Sequence, residues 1–255
     1  MIVYLKTQEE IEGFVYAGRI AGRIMKELIE SITVGSTTNQ INEKAIELCD
    51  LYGVKPAFLG YEGFPAAICA SVNDALVHGI PDDSPLQQRD LVSIDLGVDY
   101  EGYIGDTAVT VSPLFQYHDF SEAYEHQLEM LIVGRHCLDA GIAAARAGNK
   151  LSDIAKAINE SRYSYSLPDN YGGHGIDRYK LHCAPFVANN PEHIEFDITL
   201  RPNMVIAIEP MLIDGSSTTH VAEDKWTVMA DGPAVHFEHT VLITDGNPVV
   251  LTDRG

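Results

Sequence analysis

Positive charge is what this chain lacks most. Its 255 residues hold 17 Lys and Arg against 37 Asp and Glu, a formal net charge of −20. Phosphate backbones are bound by clustered Lys and Arg, so this balance argues against nucleic acid as a direct partner. Long apolar runs are missing too. Nothing approaches the roughly 18 residues of a membrane-spanning helix, and no membrane association is expected. The opening Met1-Ile2-Val3-Tyr4-Leu5-Lys6 passes directly into Gln8-Glu9-Glu10 without the apolar stretch of a signal peptide. Cysteine is sparse: Cys49, Cys69, Cys137 and Cys183 form no C-x-x-C pair. That pattern suggests neither a zinc knuckle nor a disulfide framework, and a reducing cytoplasm fits it best. No linker, low-complexity segment or charge block divides the chain, and its length suits one large domain or two small ones.

What is present begins with regular helix signals. Thr7-Gln8-Glu9-Glu10 forms a capping box, and Ile11, Phe14, Val15, Ala21, Ile24, Met25, Leu28 and Ile32 mark the apolar face of the helix it opens. A second helix is predicted from Thr38 to Tyr52, closed by Gly53. A third runs from near Ser121 to about Arg146, closed by Gly148, and a fourth, capped by Ser152, runs to about Ser161. Strands are expected near Ala57–Leu59, Ala67–Ser71, Met204–Glu209, Trp226–Met229 and Phe237–Ile243.

The most informative segment is an acidic hairpin. Leu91-Val92-Ser93-Ile94-Asp95-Leu96-Gly97 reads as a buried strand, and Gly102–Val111 reads as its antiparallel partner. Asp99-Tyr100-Glu101-Gly102 suits a type I turn. Folding about Tyr100/Glu101 sets Asp95 opposite Asp106, with Cβ atoms roughly 5 Å apart. Two carboxylates that close repel unless a proton or cation lies between them. Two further acids sit in apolar strands: Glu209 after Ile206-Ala207-Ile208, and Glu238 within Phe237-Glu238-His239-Thr240-Val241. A lone buried carboxylate is costly unless it is paired or ligates a cation. With His174, these four carboxylates make a hard, oxygen-rich donor set suited to two Mn, Fe, Co or Zn ions in the divalent state rather than to a structural zinc.

There is also an internal echo. His78-Gly79-Ile80 precedes the apolar strand ending in Asp95, and His174-Gly175-Ile176 precedes the one ending in Glu209. A duplicated α+β unit with a site between its halves would produce that pattern.

Taken together, Asn73-Asp74-Ala75-Leu76-Val77-His78-Gly79-Ile80-Pro81, the acidic hairpin, Gly173-His174-Gly175-Ile176, Ile208-Glu209-Pro210-Met211 and Phe237-Glu238-His239-Thr240 resemble the methionine aminopeptidases, over nearly the whole chain and in the right order. The resemblance implies an α+β pita-bread fold. It would be one catalytic domain over residues 1–255, with pseudo-symmetric halves of about 1–118 and 119–255 around a curved antiparallel sheet. It implies metal-dependent removal of the amino-terminal Met from nascent polypeptides. One ion would be held by His174 and Glu209 and the other by Asp95, with Asp106 and Glu238 bridging both. His78 and His182 would stand beside the scissile bond, and Glu209 would take the proton of the attacking water. Tyr61, Phe64, Cys69, Leu181 and Trp226 would line the methionine pocket. His236 and His239, flanking Glu238, would at most support it. A monomer is expected, with nascent chains as substrate and a transient ribosome contact as a further partner.

The resemblance is mixed. Size, His78-Gly79-Ile80-Pro81 and Glu209-Pro210-Met211 look like type I enzymes. Gly102–Thr110 and the eight-residue interval from His174 to His182 look like type II. The type II helical insertion is absent, since Glu209 and Glu238 are 29 residues apart, and Gly97 stands where type I usually has Thr. Two alternatives accompany this reading. One is a pita-bread peptidase acting at X-Pro bonds, whose usual amino-terminal domain this chain has no room for. The other is a catalytically silent binding module, expected to have lost ligands that are all kept here.

Overall fold

The computed structural model describes residues 3–113 and 122–255, with side chains from 125 onward in the latter stretch. The capping box at Thr7 forms as expected: Thr7 N donates to Glu10 Oε2 at 2.8 Å, and Glu10 N donates to Thr7 Oγ1 at 3.3 Å. It starts helix α1 (Gln8–Ile29), which buries Ile11, Phe14, Ile24, Met25 and Leu28. Helix α2 (Thr38–Tyr52) is capped by Thr37 and ends at Gly53, whose left-handed φ of 67° suits glycine. These two helices back a four-stranded antiparallel sheet. It contains β1 (Lys55–Pro56), β2 (Cys69–Val72), β4 (Val92–Tyr100) and β5 (Tyr103–Val111), in the order β1-β4-β2 with β5 also on β4; β3 (Ala75–Val77) follows β2.

The second half repeats the plan. Helices α3 (Glu122–Ala144) and α4 (Leu151–Ser161) pack against β6 (Gly172–Asp177), β7 (Lys180–Ala188), β8 (Val205–Ile208), β13 (His239–Leu242) and β14 (Val249–Val250), in the order β14-β13-β8-β6-β7. Between β8 and β13 lie β9 (Met211–Ile213), β10 (His220–Val221), β11 (Val228–Met229) and β12 (Ala234–His236). β9 pairs with β12, and β10-β11-β3 form a small sheet that ties the halves together. The halves also meet at β5 and β13. Asp106 N donates to Thr240 Oγ1 at 2.9 Å, Thr240 Oγ1 donates to Asp106 O at 2.8 Å, and Glu238 N donates to Ala108 O at 2.9 Å.

The echoed His-Gly-Ile motifs have a shared steric cause. A Cβ on Gly79 would lie 2.3 Å from Ala70 O, and one on Gly175 would lie 2.2 Å from Ala184 O. In each half the glycine lets the chain carrying the histidine press against a neighbouring strand.

Several expectations need correction. The hairpin turns about Glu101/Gly102, not Tyr100/Glu101. Both residues have positive φ (53° and 89°), the signature of a two-residue primed turn that matches strand twist. Asp95 therefore pairs with Ala108, and Asp106 with Gly97. A shift of two residues keeps both acids on one face, so they remain diagonal neighbours. No strand forms at Ala57–Leu59: Ala57 N still bonds Gly97 O, but Gly60, at φ 83°, turns the chain into a short 3₁₀ helix at Tyr61–Gly63. Helix α4 starts from Lys150, whose N–H donates to Asp153 Oδ2, while Ser152 Oγ bonds Asp197 instead. The Ser121 start of the third helix and the 118/119 boundary between halves lie outside the described residues. Among the described residues no helix is long and apolar enough to cross a membrane.

Candidate active site and metal centre

All twelve residues singled out from the sequence line one cavity of about 360 Å³ between the two halves: Tyr61, Phe64, Cys69, His78, Asp95, Asp106, His174, Leu181, His182, Glu209, Trp226 and Glu238. The six acid and imidazole groups nearest its centre arrive on different pieces of backbone. Asp95 and Asp106 project from β4 and β5, His174 from β6, and His182 from β7. Glu209 follows the end of β8, and Glu238 sits between β12 and β13.

The donors converge closely. Ligating atoms of Asp95, Asp106 and Glu238 lie within 4.8 Å of one another; so do those of His174, Glu209 and Glu238, and those of Asp106, His174 and His182. His174 Nε2 is 3.6 Å from Glu209 Oε1 and 3.7 Å from Asp106 Oδ2. Its Nδ1 lies 3.2 Å from Gly175 O, a carbonyl that can only accept. Nδ1 therefore carries the hydrogen, and Nε2 turns a lone pair toward two carboxylates. Burial holds His174 down to about 3, so it stays neutral. Burial also pushes Asp106 up to about 7, and Asp95, Glu209 and Glu238 well above the carboxylate range, with mutual repulsion adding to each of those three. Asp95 Oδ1, Asp106 Oδ1 and Glu238 Oε1 are buried without a hydrogen-bond partner. Lone pairs and unpartnered oxygens facing one another at these distances fit a cation between them, or protons where no cation is held.

His78 and His182 line the same cavity as this cluster. The rings of His174 and His182 are 4.4 Å apart and nearly perpendicular. The eight-residue interval achieves this because β6 and β7 pair with register shifts on either side of Gly175. His182 Nδ1 meets Tyr61 OH at 3.1 Å. The protein around His78 and His182 holds both imidazoles below their usual range. Beside them an apolar slot is closed by Phe64 and Trp226, in edge contact at 5.2 Å.

Two features, Arg254 and Phe58, went unread in the sequence, and a third, His236, was read only as support for Glu238. His236 is buried, and its Nε2 sits 3.2 Å from Glu209 Oε2, a direct approach to a donor rather than distant support. Its spacing of two from Glu238, the strand period, was an available signal. Arg254 had none: its Nη2 donates to Thr107 Oγ1 and Ala108 O at 2.7 Å and to Glu238 O at 3.3 Å, clamping the junction that carries Asp106 and Glu238. Phe58 also lines the cavity. A Cβ on Gly97 would lie 2.6 Å from its ring, so Phe58 fills the space that a larger side chain at 97 would need. His239 turns away to Thr252 Oγ1 at 2.9 Å. His126, paired with Asp214, is about half exposed.

Comparison with known proteins agrees with this geometry. Residues 12–245 match the sequence profile of metallopeptidase family M24. The chain is 39% identical to the methionine aminopeptidase of Aquifex aeolicus, covering 99% of this chain and all of that one. The crystal structure of methionine aminopeptidase from Thermotoga maritima superposes with a TM-score of 0.91 at 33% identity, covering 99% of this chain and 100% of that one. Prolidase from Pyrococcus furiosus superposes with a TM-score of 0.77 at 26% identity over 98% of this chain and 65% of the prolidase. These neighbours place the mixed helix and antiparallel-sheet architecture in the pita-bread fold.

Proposed function

The chain belongs to metallopeptidase family M24, and we propose that it removes the amino-terminal methionine from polypeptides at the cavity between its halves. The observation that carries this reading is the convergence of four carboxylates and a neutral imidazole beside an apolar, aromatic slot. His174 and Glu209 would hold one divalent ion and Asp95 a second, with Asp106 and Glu238 shared between them. Ions held there supply Lewis acidity and water of lowered pKa.

The chain's own groups do the rest. The slot of Tyr61, Phe64, Cys69, Leu181 and Trp226 takes the thioether side chain, which is flexible and suits an apolar, aromatic lining. With Tyr61 OH as the donor to His182 Nδ1, 3.1 Å away, the ring hydrogen would sit on Nε2 and face the scissile carbonyl. His78 stands with it on the same wall, and each imidazole donates to the oxygen as charge develops there. Glu209, ionised once the ions are held, accepts the proton of the attacking water. His236 Nε2 lies 3.2 Å from Glu209 Oε2 without a hydrogen bond to it, adding one more buried nitrogen beside that carboxylate. The four free thiols, three of them buried, suit a reducing compartment.

The test is hydrolysis of Met-Gly-Met by chelated and metal-restored protein, with bound metal quantified. Activity should vanish on chelation and return with Mn(II), Fe(II) or Co(II). Undiminished activity in metal-free protein would reject the reading, and preferential cleavage of X-Pro peptides would move the chain toward the prolidases.

A further inference from the structure

A second concavity adjoins the catalytic one. It measures about 310 Å³ and is lined by Asn170, Phe186, His193, Glu195 and Phe196. Asn170 lines both cavities. Gly172 also belongs to the catalytic wall, and a Cβ placed on it would lie 3.1 Å from Phe186 Cζ. The two hollows therefore share a rim. Phe186 is 43% exposed and Phe196 56% exposed, so the hollow presents two aromatic faces to solvent. The floor is locally braced: Asn190 Oδ1 accepts from Glu192 N at 3.1 Å, and His193 Nε2 lies 3.4 Å from Asp169 Oδ1. The side-chain amide of Asn170 has no hydrogen-bond partner among the described residues, and Asn170 itself is turned by a φ of 65°.

An enzyme that takes one residue from an amino terminus must leave the remainder of the polypeptide outside its cavity. The rim shared by the two hollows offers that remainder a path out of the cavity. Resting on the proposed function above, we infer that the second hollow is a subsite for the substrate downstream of the cut. It takes an apolar side chain beyond the second residue between Phe186 and Phe196, while the Asn170 amide bonds the peptide backbone at the rim. An extended chain advances about 3.3 Å per residue, so positions three to five of the peptide are those within reach of a neighbouring hollow.

The experiment is a series of hexapeptides built on Met-Gly-Ser-Gly-Gly-Gly, with Leu moved through positions three, four and five, cleaved by the metal-loaded protein. One position should raise kcat/KM about fivefold, chiefly through KM, the scale of partly burying one aliphatic side chain. A Phe196→Ser variant should lose that preference and still cleave Met-Gly-Ser at the unmodified rate. Benzoylphenylalanine at the preferred position should cross-link wild-type protein within residues 186–196 on illumination. A flat series in wild-type protein, or cross-links confined to other segments, overturns the subsite. Failure to cleave any member of the series, Met-Gly-Ser included, overturns the aminopeptidase reading along with it.

Discussion

Removing divalent metal should make this protein's stability fall as pH rises above neutrality, against the usual behaviour of carboxylates. Asp106 is held at about 7 rather than 3.8, and Asp95, Glu209 and Glu238 are pushed well above their ordinary values, all primarily by burial. A carboxyl whose folded pKa lies above its unfolded one retains a proton that the unfolded chain has already released. The stability this contributes is present at low pH and is lost as pH climbs through the folded value. Buried histidines act in the opposite sense. His174 and His236 are held at about 3 and His239 at about 2, against 6.5 in the open chain. They therefore destabilise the fold on acidification below 6.5 and are silent above it. The interval from pH 6.5 to 8 isolates the carboxylates. Each proton still held there contributes a slope of about 1.4 kcal/mol per pH unit, and in a chain of this size each kcal/mol moves Tm by roughly 2–4 °C. Calorimetry of chelated protein should show Tm dropping by about 3–5 °C per pH unit for each retained proton. With Mn(II) at 100 times Kd, stability should rise by about 2.7 kcal/mol and the slope should vanish, because ligated carboxylates are already ionised. Asp106→Asn should flatten the slope below about pH 7, where Asp106 still holds its proton, and leave it unchanged near pH 8. A flat Tm in chelated protein, unmoved by added Mn(II), would refute the argument that these oxygens face one another for the sake of a cation.

Other expectations follow from particular contacts. Asp106→Asn and Glu238→Gln should each be nearly inactive and bind fewer than two ions, since a neutral amide is a poor bridge; full turnover with two ions bound in either would refute the bridging assignment. His182→Ala should lower kcat by about 10²–10³ with both metals retained, while His126→Ala, on the surface, should change little; near-normal kcat in the former would leave His78 and the metals as sufficient. Gly97→Thr should destabilise the fold by roughly 1–3 kcal/mol through overpacking against Phe58, and Phe58→Ala should recover part of that loss in the double variant; additive losses in denaturant titration would show that the two positions are not coupled. Arg254→Met should weaken Mn(II) binding by loosening the strands that carry Asp106 and Glu238, measurable by calorimetric titration; unchanged affinity would confine Arg254 to packing.

How much of this was readable in advance depended on whether a residue's partners are near it in sequence. The helices were legible because capping and turn chemistry are local: Thr7 with Glu10, Thr37 with Gln40, and Gly53 each act within four residues. The carboxylates stood out because an acid inside a strand of Val, Ile and Leu contradicts its surroundings unless something pays for it. The hairpin register was misjudged by two, since Asp99 and Gly102 fit a type I turn from composition alone. The twist of the paired strands instead selects positive φ at Glu101 and Gly102. That error did no harm to the site, because a two-residue slip conserves the face. Arg254 and Phe58 were invisible for a different reason. An arginine near residue 255 and a phenylalanine before Leu59 carry no local contradiction, and their roles exist only once β5 meets Glu238 and β4 brings Gly97 under the Phe58 ring. The donor set is thus written in residue type, while the parts that hold it in place are written in topology. Substitutions of the first kind should abolish chemistry outright, and those of the second should be repairable by a compensating change elsewhere.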